Sequence, residues 1–132
     1  MLKRILLATV AIFIAWQLLD MLIHTVILSG AYQATASMWR PMAEMKMGLM
    51  WAVGAIAAFC FAAVYGWLVR PKSLKAALFY GLLFGIGGGI SMGYGTYSVM
   101  PLPYVLAFGW FAATLVESVV AGVLAGWIIR EP

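Results

Sequence analysis

Four uninterrupted apolar stretches, each longer than 18 residues, set the solvent in which this chain can fold. A hydrocarbon core about 30 Å thick is crossed by roughly 20 helical residues at about 1.5 Å each. Hydrophobic residues make up 66% of the 132 positions and charged residues 9%, against roughly 25% charged in a soluble domain. The chain therefore lacks the polar residues to coat a water-facing globule. A membrane β-barrel would show alternating segments and many turns, whereas these runs are continuous, rich in Ala and Leu, and too few to close a barrel. The sequence predicts an all-α fold: one domain over residues 1–132, an integral membrane bundle of four transmembrane helices at about 5–28, 47–69, 76–97 and 104–129.

The connections are short, so no soluble domain is expected to hang from the bundle. Pro41 and Pro103 stand where a first helical position would fall, and Ser73 suits the N-cap of the third helix. On this reading the second helix begins near Pro41 and projects past the bilayer, or residues 38–47 form a short interfacial helix. Lys3, Arg4, Arg70, Lys72, Lys75 and Arg130 fall on one side, Arg40 and Lys46 on the other. Positive charge accumulates on the cytoplasmic side, which places both termini in the cytoplasm. Trp67, Tyr80 and Trp127 are then expected at the inner interface, and Tyr32, Trp39, Tyr97 and Tyr104 at the outer one, as belt aromatics. The apolar run from Ile5 to Leu28 is too long for a signal-peptide core and reads as a first span, despite the small residues Ala34-Thr35-Ala36 beyond it. The expected location is a bacterial cytoplasmic (inner) membrane, crossed several times.

Several function classes find no support. The lone Cys60 rules out disulfide frameworks and multi-cysteine zinc or iron–sulfur sites within the chain. The net charge of +4 resides at helix ends and forms no basic stripe interleaved with aromatics, so no nucleic-acid partner is expected. Ser29, Ser37 and Ser98 lack a nucleophile-elbow context, and His24 is the only histidine, which argues against an enzyme and against bis-histidine haem. Gly87 to Gly89 are not followed by Gly-Lys-Ser/Thr, so they are no phosphate cradle. They suit a local bend or unwinding instead. Met38, Met42, Met45, Met47 and Met50 cluster before and within the second helix. Thioethers favour Cu(I), and Met38, Met42 and Met45 would share a helical face near His24. No Met-His or Cys-Xaa-Xaa-Cys pattern sharpens that idea, so they read as flexible filler, and no cofactor or metal is expected.

Membrane helices associate where small residues let backbones approach. Such stripes run through Gly81, Gly85, Gly89 and Gly93, through Gly54, Ala58, Ala62 and Gly66, through Gly109, Ala113, Ala121 and Ala125, and through Ala8, Ala11 and Ala15. Packing within one bundle accounts for them. The additional Gly87, Gly88 and Gly95 would admit a second copy of the chain or a larger membrane complex as partner, beside the lipid bilayer.

An ionisable group at membrane depth costs about 2.5 kcal/mol or more unless it has a partner or a cavity. Gln17, Asp20 and His24 are spaced three and four apart and share one face of the first helix. Thr114, Glu117, Ser118 and Ala121 are aligned in the same way on the fourth. The third helix offers Ser91, Tyr94 and Thr96 from its outer half. These groups are expected to meet in a polar pocket open to the outside, with Asp20, His24, Glu117, Gln17, Thr114 and Tyr94 as the proton or ligand site. The bland alternative is that Asp20 and His24 satisfy each other while Glu117, protonated, bonds Thr114 or a backbone carbonyl. A metal site or a partner interface is a third option.

In size, four-span layout and the membrane-embedded acid Asp20 of the first helix, the chain resembles the small multidrug resistance transporters, which work as dimers around such a carboxylate. Their acid is a glutamate early in the first helix within a distinctive context, whereas Asp20 lies late in its span. The resemblance is one of architecture and transfers no residue. The expected function is proton-coupled movement of a small solute or ion through the buried polar site. The alternative is a non-catalytic accessory or assembly subunit whose buried acids set helix register.

Overall fold

A computed structural model describes residues 1–131. Backbone groups in lipid must be satisfied within their own segment, and the long apolar stretches form helices. Helix α1 spans Leu2–Leu22, α2 Ser29–Ala34, α3 Met47–Leu68, α4 Leu74–Gly89, α5 Thr96–Val99 and α6 Tyr104–Ile128. π-helical turns at Ile23–Ile27 and Ile90–Gly95 extend α1 and α4. Four helical stretches, Leu2–Ile27, Met47–Leu68, Leu74–Val99 and Tyr104–Ile128, are long and apolar enough to cross a membrane. Among the described residues there is no strand.

The ends follow from local chemistry. Ser73 caps α4, its hydroxyl accepting from the Ala76 N–H at 3.0 Å. Pro71 disfavours helix at the residue before it, and α3 stops at Leu68. Arg70 donates to the carbonyls of Gly66 and Val69 at 3.1 and 2.9 Å, so a cation closes the negative end of the helix. Arg4 donates to the Arg130 carbonyl at 2.5 Å, tying the start of α1 to the end of α6. The α3–α4 turn joins the same end through Lys72, whose N–H bonds Glu131 Oε1 at 3.1 Å.

Helix α6 organises the bundle. On α4, a Cβ at Gly81 or Gly93 would fall on the backbone oxygens of Ser118 or Ala107, and at Gly85 and Gly89 it would lie 2.9 Å from Leu115 Cα and from the Phe111 oxygen. Gly122 answers from α6, where a Cβ would meet the Ala77 oxygen at 2.5 Å. The two backbones are thus in contact along four turns, and the attraction between them is close dispersion packing. Helix α1 packs on both α3 and α6, with Ile5 seated over Gly66 and Leu28 over Gly109. A dry cluster of Ile5, Ile12, Phe61, Tyr65, Ala121 and Ile129 fills the end that holds Arg4 and Arg130. A smaller one of Leu28, Leu102 and Leu106 fills the opposite end, with Tyr32, Trp39 and Trp110 against it. The polar side chains lie between the two.

Several expectations are corrected. The second span begins at Met47 as expected, but the helix does not project back to Pro41, because residues 36–44 form two 3₁₀ turns, Ala36–Met38 and Met42–Glu44, separated by extended Trp39. Met38, Met42 and Met45 therefore share no helical face. Pro103 is the N-cap of α6 and not its first residue. Gly87 to Gly89 stay helical, and the irregularity falls one residue later in the π turn. Tyr80, expected at an interface, is turned inward and donates to the Phe61 carbonyl at 3.0 Å. Trp67 and Trp127, at the Arg4 end, and Tyr97 and Tyr104, at the other, are exposed as belt residues would be.

Candidate functional site

The last turn of α1 is irregular for a reason legible in its residues. The Thr25 hydroxyl donates back to the Met21 carbonyl, and Ser29 Oγ donates to the Val26 carbonyl at 3.0 Å. Hydroxyls competing for helix carbonyls loosen the ladder, and the π turn Ile23–Ile27 follows. His24 sits in it. Its Nε2 is 3.4 Å from Asp20 Oδ1, and its Nδ1 is 2.7 Å from the Tyr32 hydroxyl, carried by α2. From α6, Trp110 Nε1 reaches the same hydroxyl at 2.7 Å.

One order of donors suits the neutral Nε2–H imidazole, since the direction of the His24–Tyr32 bond follows the tautomer. Indole N–H can only donate, so Trp110 donates to the Tyr32 oxygen, and Tyr32 spends its own proton on His24 Nδ1. Burial pushes the Tyr32 hydroxyl above its ordinary pKa, so it is a neutral donor at physiological pH. With Nδ1 accepting, the neutral ring holds its proton on Nε2, where it faces the Asp20 carboxylate. Trp39 roofs the arrangement, its ring 5.5 Å from that of Tyr32 and 6.0 Å from that of Trp110. Trp39 is itself fixed by donation to Thr35 Oγ1 at 2.8 Å. Nitrogen-15 NMR of the imidazole is expected to show one tautomer, Nε2–H. Tyr32→Phe removes the Nδ1 partner and should give a mixture; an unchanged spectrum would refute this donor order.

Glu117 faces α1 from the middle of α6. Trp16 Nε1 donates to the Glu117 backbone carbonyl at 2.8 Å, clamping the two helices at this level. Asp20 and Glu117 are neighbours across the α1–α6 contact. Two carboxyl groups bond only when one supplies a proton. Glu117 Oε1 is buried and has no hydrogen-bonding partner. A group left that way costs about 1–3 kcal/mol, so its environment is not arranged for stability alone.

Asp20 also opens onto a cleft of about 770 Å³ between the C-terminal part of α1, the first loop and the start of α3. Gln17 and Asp20 line its α1 side, and Trp39, Arg40 and Lys46 its loop side. Leu49, Met50 and Val53 form the α3 wall. The cleft reaches Asp20 but is not lined by Glu117, and the apolar cluster of Ile12, Phe61 and Ala121 is a separate buried group.

The structure brings together Asp20, His24 and Glu117, with Gln17 beside them on the cleft. Thr114 and Ser118 do not join. The Thr114 methyl group is 3.5 Å from a Cβ built at Gly88, and Ser118 lies against Gly85, so both are turned to α4 while Glu117 is turned to α1. Tyr94 is separate too: its hydroxyl is 2.8 Å from that of Tyr104, on an exposed edge of α4 and α6. The cause is the glycine stripe. With Gly89 and Gly93 seated on α6, Ser91 is left exposed on another side of the helix. Tyr32 and Trp39 are the converse case, expected in the outer belt and found partly buried against the Leu28, Leu102 and Leu106 cluster. Trp110 belongs to the site through its indole N–H, and its place seven residues before Glu117, on the same helical face, is the sequence signal for it, although tryptophan counts as apolar.

Among the described residues no three carboxylate, imidazole or thiol groups are placed to hold one metal ion. Of the methionines, Met45 and Met50 line the cleft, whereas Met42 is 83% exposed. No protein family, curated protein or solved structure matches this chain. The likeness to the small multidrug resistance transporters thus rests on architecture alone, and the site must be read from its own geometry.

Proposed function

We propose that this chain is a proton-coupled transporter or channel for a small solute or ion, embedded in a bacterial inner membrane with both termini in the cytoplasm, and not an enzyme. One observation supports this above the rest: a buried carboxyl group with an unpartnered oxygen, Glu117, meets a second acid, Asp20, that lines an open cleft. Ionisable groups at membrane depth are expensive and mark proton or ion paths. On this reading a proton enters from the outer cleft, is held between the two carboxyl groups, and is oriented by the Trp110–Tyr32–His24 chain. The apolar cluster of Ile12, Phe61 and Ala121 closes the inner side. The helices are then outward-open, and a change in packing around Ile12 must open the other side during transport.

A second reading, an accessory subunit of a larger membrane complex, is favoured by Gly87. A Cβ there would meet nothing within 4 Å, so α4 keeps a small face on which another helix fits.

The deciding experiment places the purified chain in proteoliposomes with an internal pH dye and imposes a pH gradient. Wild type should move protons faster than empty liposomes, and Asp20→Asn and Glu117→Gln should each return the rate to that background. Variants that fold and keep the wild-type rate would end the transport reading. A chain that conducts nothing alone and is always purified with stoichiometric partners would establish the subunit reading.

A further inference from the structure

The charges around the cleft do not balance. Asp20 is the one carboxylate on its lining, and it stands 3.4 Å from His24. Arg40 and Lys46, both exposed, line the same cleft, and among the described residues neither stands within ion-pair distance of a carboxylate. Glu44, the acid of this loop, is not paired with them. Two cations against one carboxylate thus give the concavity a net positive charge, and its opposite wall is Leu49, Met50 and Val53. Trp39 closes one side.

We infer that this cleft binds a small organic monoanion with an apolar body, its anionic group between Arg40 and Lys46 and its body against Met50 and Val53. The inference rests on reading the cleft as the outer mouth of the transport site, and names the class of solute. Its volume, about 770 Å³, falls within the roughly 300–1,000 Å³ usual for small-molecule sites. Gln17 supplies an amide on the α1 side, able to donate or accept a hydrogen bond. An inorganic anion would leave the apolar wall unused, and a cation would meet Arg40 and Lys46 at the entrance. Like-charge contact of that kind is how a site rejects the wrong ligand.

The test is equilibrium dialysis of the full chain in phosphatidylcholine nanodiscs, with empty nanodiscs as background. The probes are 4-phenylbutyrate and 4-phenylbutylamine, of one skeleton and opposite charge. Saturable binding of the carboxylate, none of the amine, and a loss of about tenfold or more in Arg40→Gln/Lys46→Gln are expected. Both substituted residues are exposed and make no hydrogen bond through their side chains, so folding is not at stake. Val53→Trp, which fills the apolar wall, should also abolish binding. Equal binding of the two probes, or wild-type affinity in the double variant, would overturn the inference. So would loss of carboxylate binding when phosphatidylglycerol replaces phosphatidylcholine, because the occupant would then be a lipid headgroup. Binding is read without any gradient, so it is separable from flux. A chain that binds the carboxylate but moves no protons keeps this inference and loses the transport reading, and the reverse result does the opposite.

Discussion

Gly81→Leu is expected to cost the detergent-solubilised chain roughly 10 °C or more in melting temperature, while Gly87→Leu, six residues along the same helix, leaves it unchanged. A side chain at Gly81 starts on the Ser118 carbonyl oxygen, part of a backbone that cannot rotate out of the way. Helix α4 must therefore back away from α6, and the separation is shared by Gly85, Gly89 and Gly93, whose contacts to Leu115, Phe111 and Ala107 are equally close. Overpacking of a tight core costs about 1–3 kcal/mol at one site, and dispersion forces fall off within an ångström. Losing contact along four turns at once puts the penalty at the upper end of that range or beyond, which for a chain of this size corresponds to roughly 10 °C. Gly87 is the matched control, since nothing lies within 4 Å of its Cβ. A thermal scan in one detergent settles the matter: equal melting temperatures for Gly81→Leu and wild type would mean that the glycine stripe is not where the helices meet. A loss in Gly87→Leu confined to a larger assembly would identify its face as a docking surface.

The spans were legible because the sequence states them twice, in long apolar runs and in small residues at four-residue spacing. Gly81, Gly85, Gly89 and Gly93 lie against α6, as the spacing implies. What the spacing does not reveal is which neighbour a stripe chooses. The choice of α6 by that stripe decides the position of Ser91 and Tyr94, and with it their exclusion from the site. Thr114 shows the same limit on α6: three residues before Glu117 it is close in sequence and on the helix surface, yet it falls on the side facing α4. A helix with two buried sides splits a polar stripe between them.

The cluster of Asp20, His24 and Glu117 was legible on energetic grounds, because charges in apolar runs need company. Its supporting residues, Tyr32, Trp39 and Trp110, are amphipathic aromatics whose sequence positions also suit a membrane interface or an apolar span. Tyr32 and Trp39, near a span end, look like belt aromatics, but the segment that bears them folds back, and Trp39 meets Trp110 edge to face and packs partly buried against the Leu28 cluster. Residues 38–47 favour a helix by composition, since Met, Ala, Glu and Lys are good helix formers, but Pro41 and the docking of Trp39 leave short turns up to Glu44.

Replacing Glu117 by leucine is expected to stabilise the fold and to abolish proton movement, and the two effects together separate a working acid from a structural one. Leucine fills a similar volume and removes the Oε1 atom that has no hydrogen-bonding partner, which returns about 1–3 kcal/mol. Against this stands the loss of a neighbour for Asp20. Breaking a buried pair costs about 3–5 kcal/mol when the remaining charge is sealed in, but Asp20 is not sealed in: it is 45% exposed, keeps His24 at 3.4 Å and lines the open cleft. The sign should therefore be set by Glu117, with a melting temperature above wild type in Glu117→Leu and near wild type in Glu117→Gln, which keeps a polar group in the same place. Proton flux should fall to the empty-liposome rate in both. If Glu117→Leu instead unfolds several degrees earlier than Glu117→Gln, the acid holds the register of α1 against α6. A stabilised leucine variant without flux would mean that the chain tolerates a poorly satisfied carboxyl group at mid-bilayer because its work there requires one.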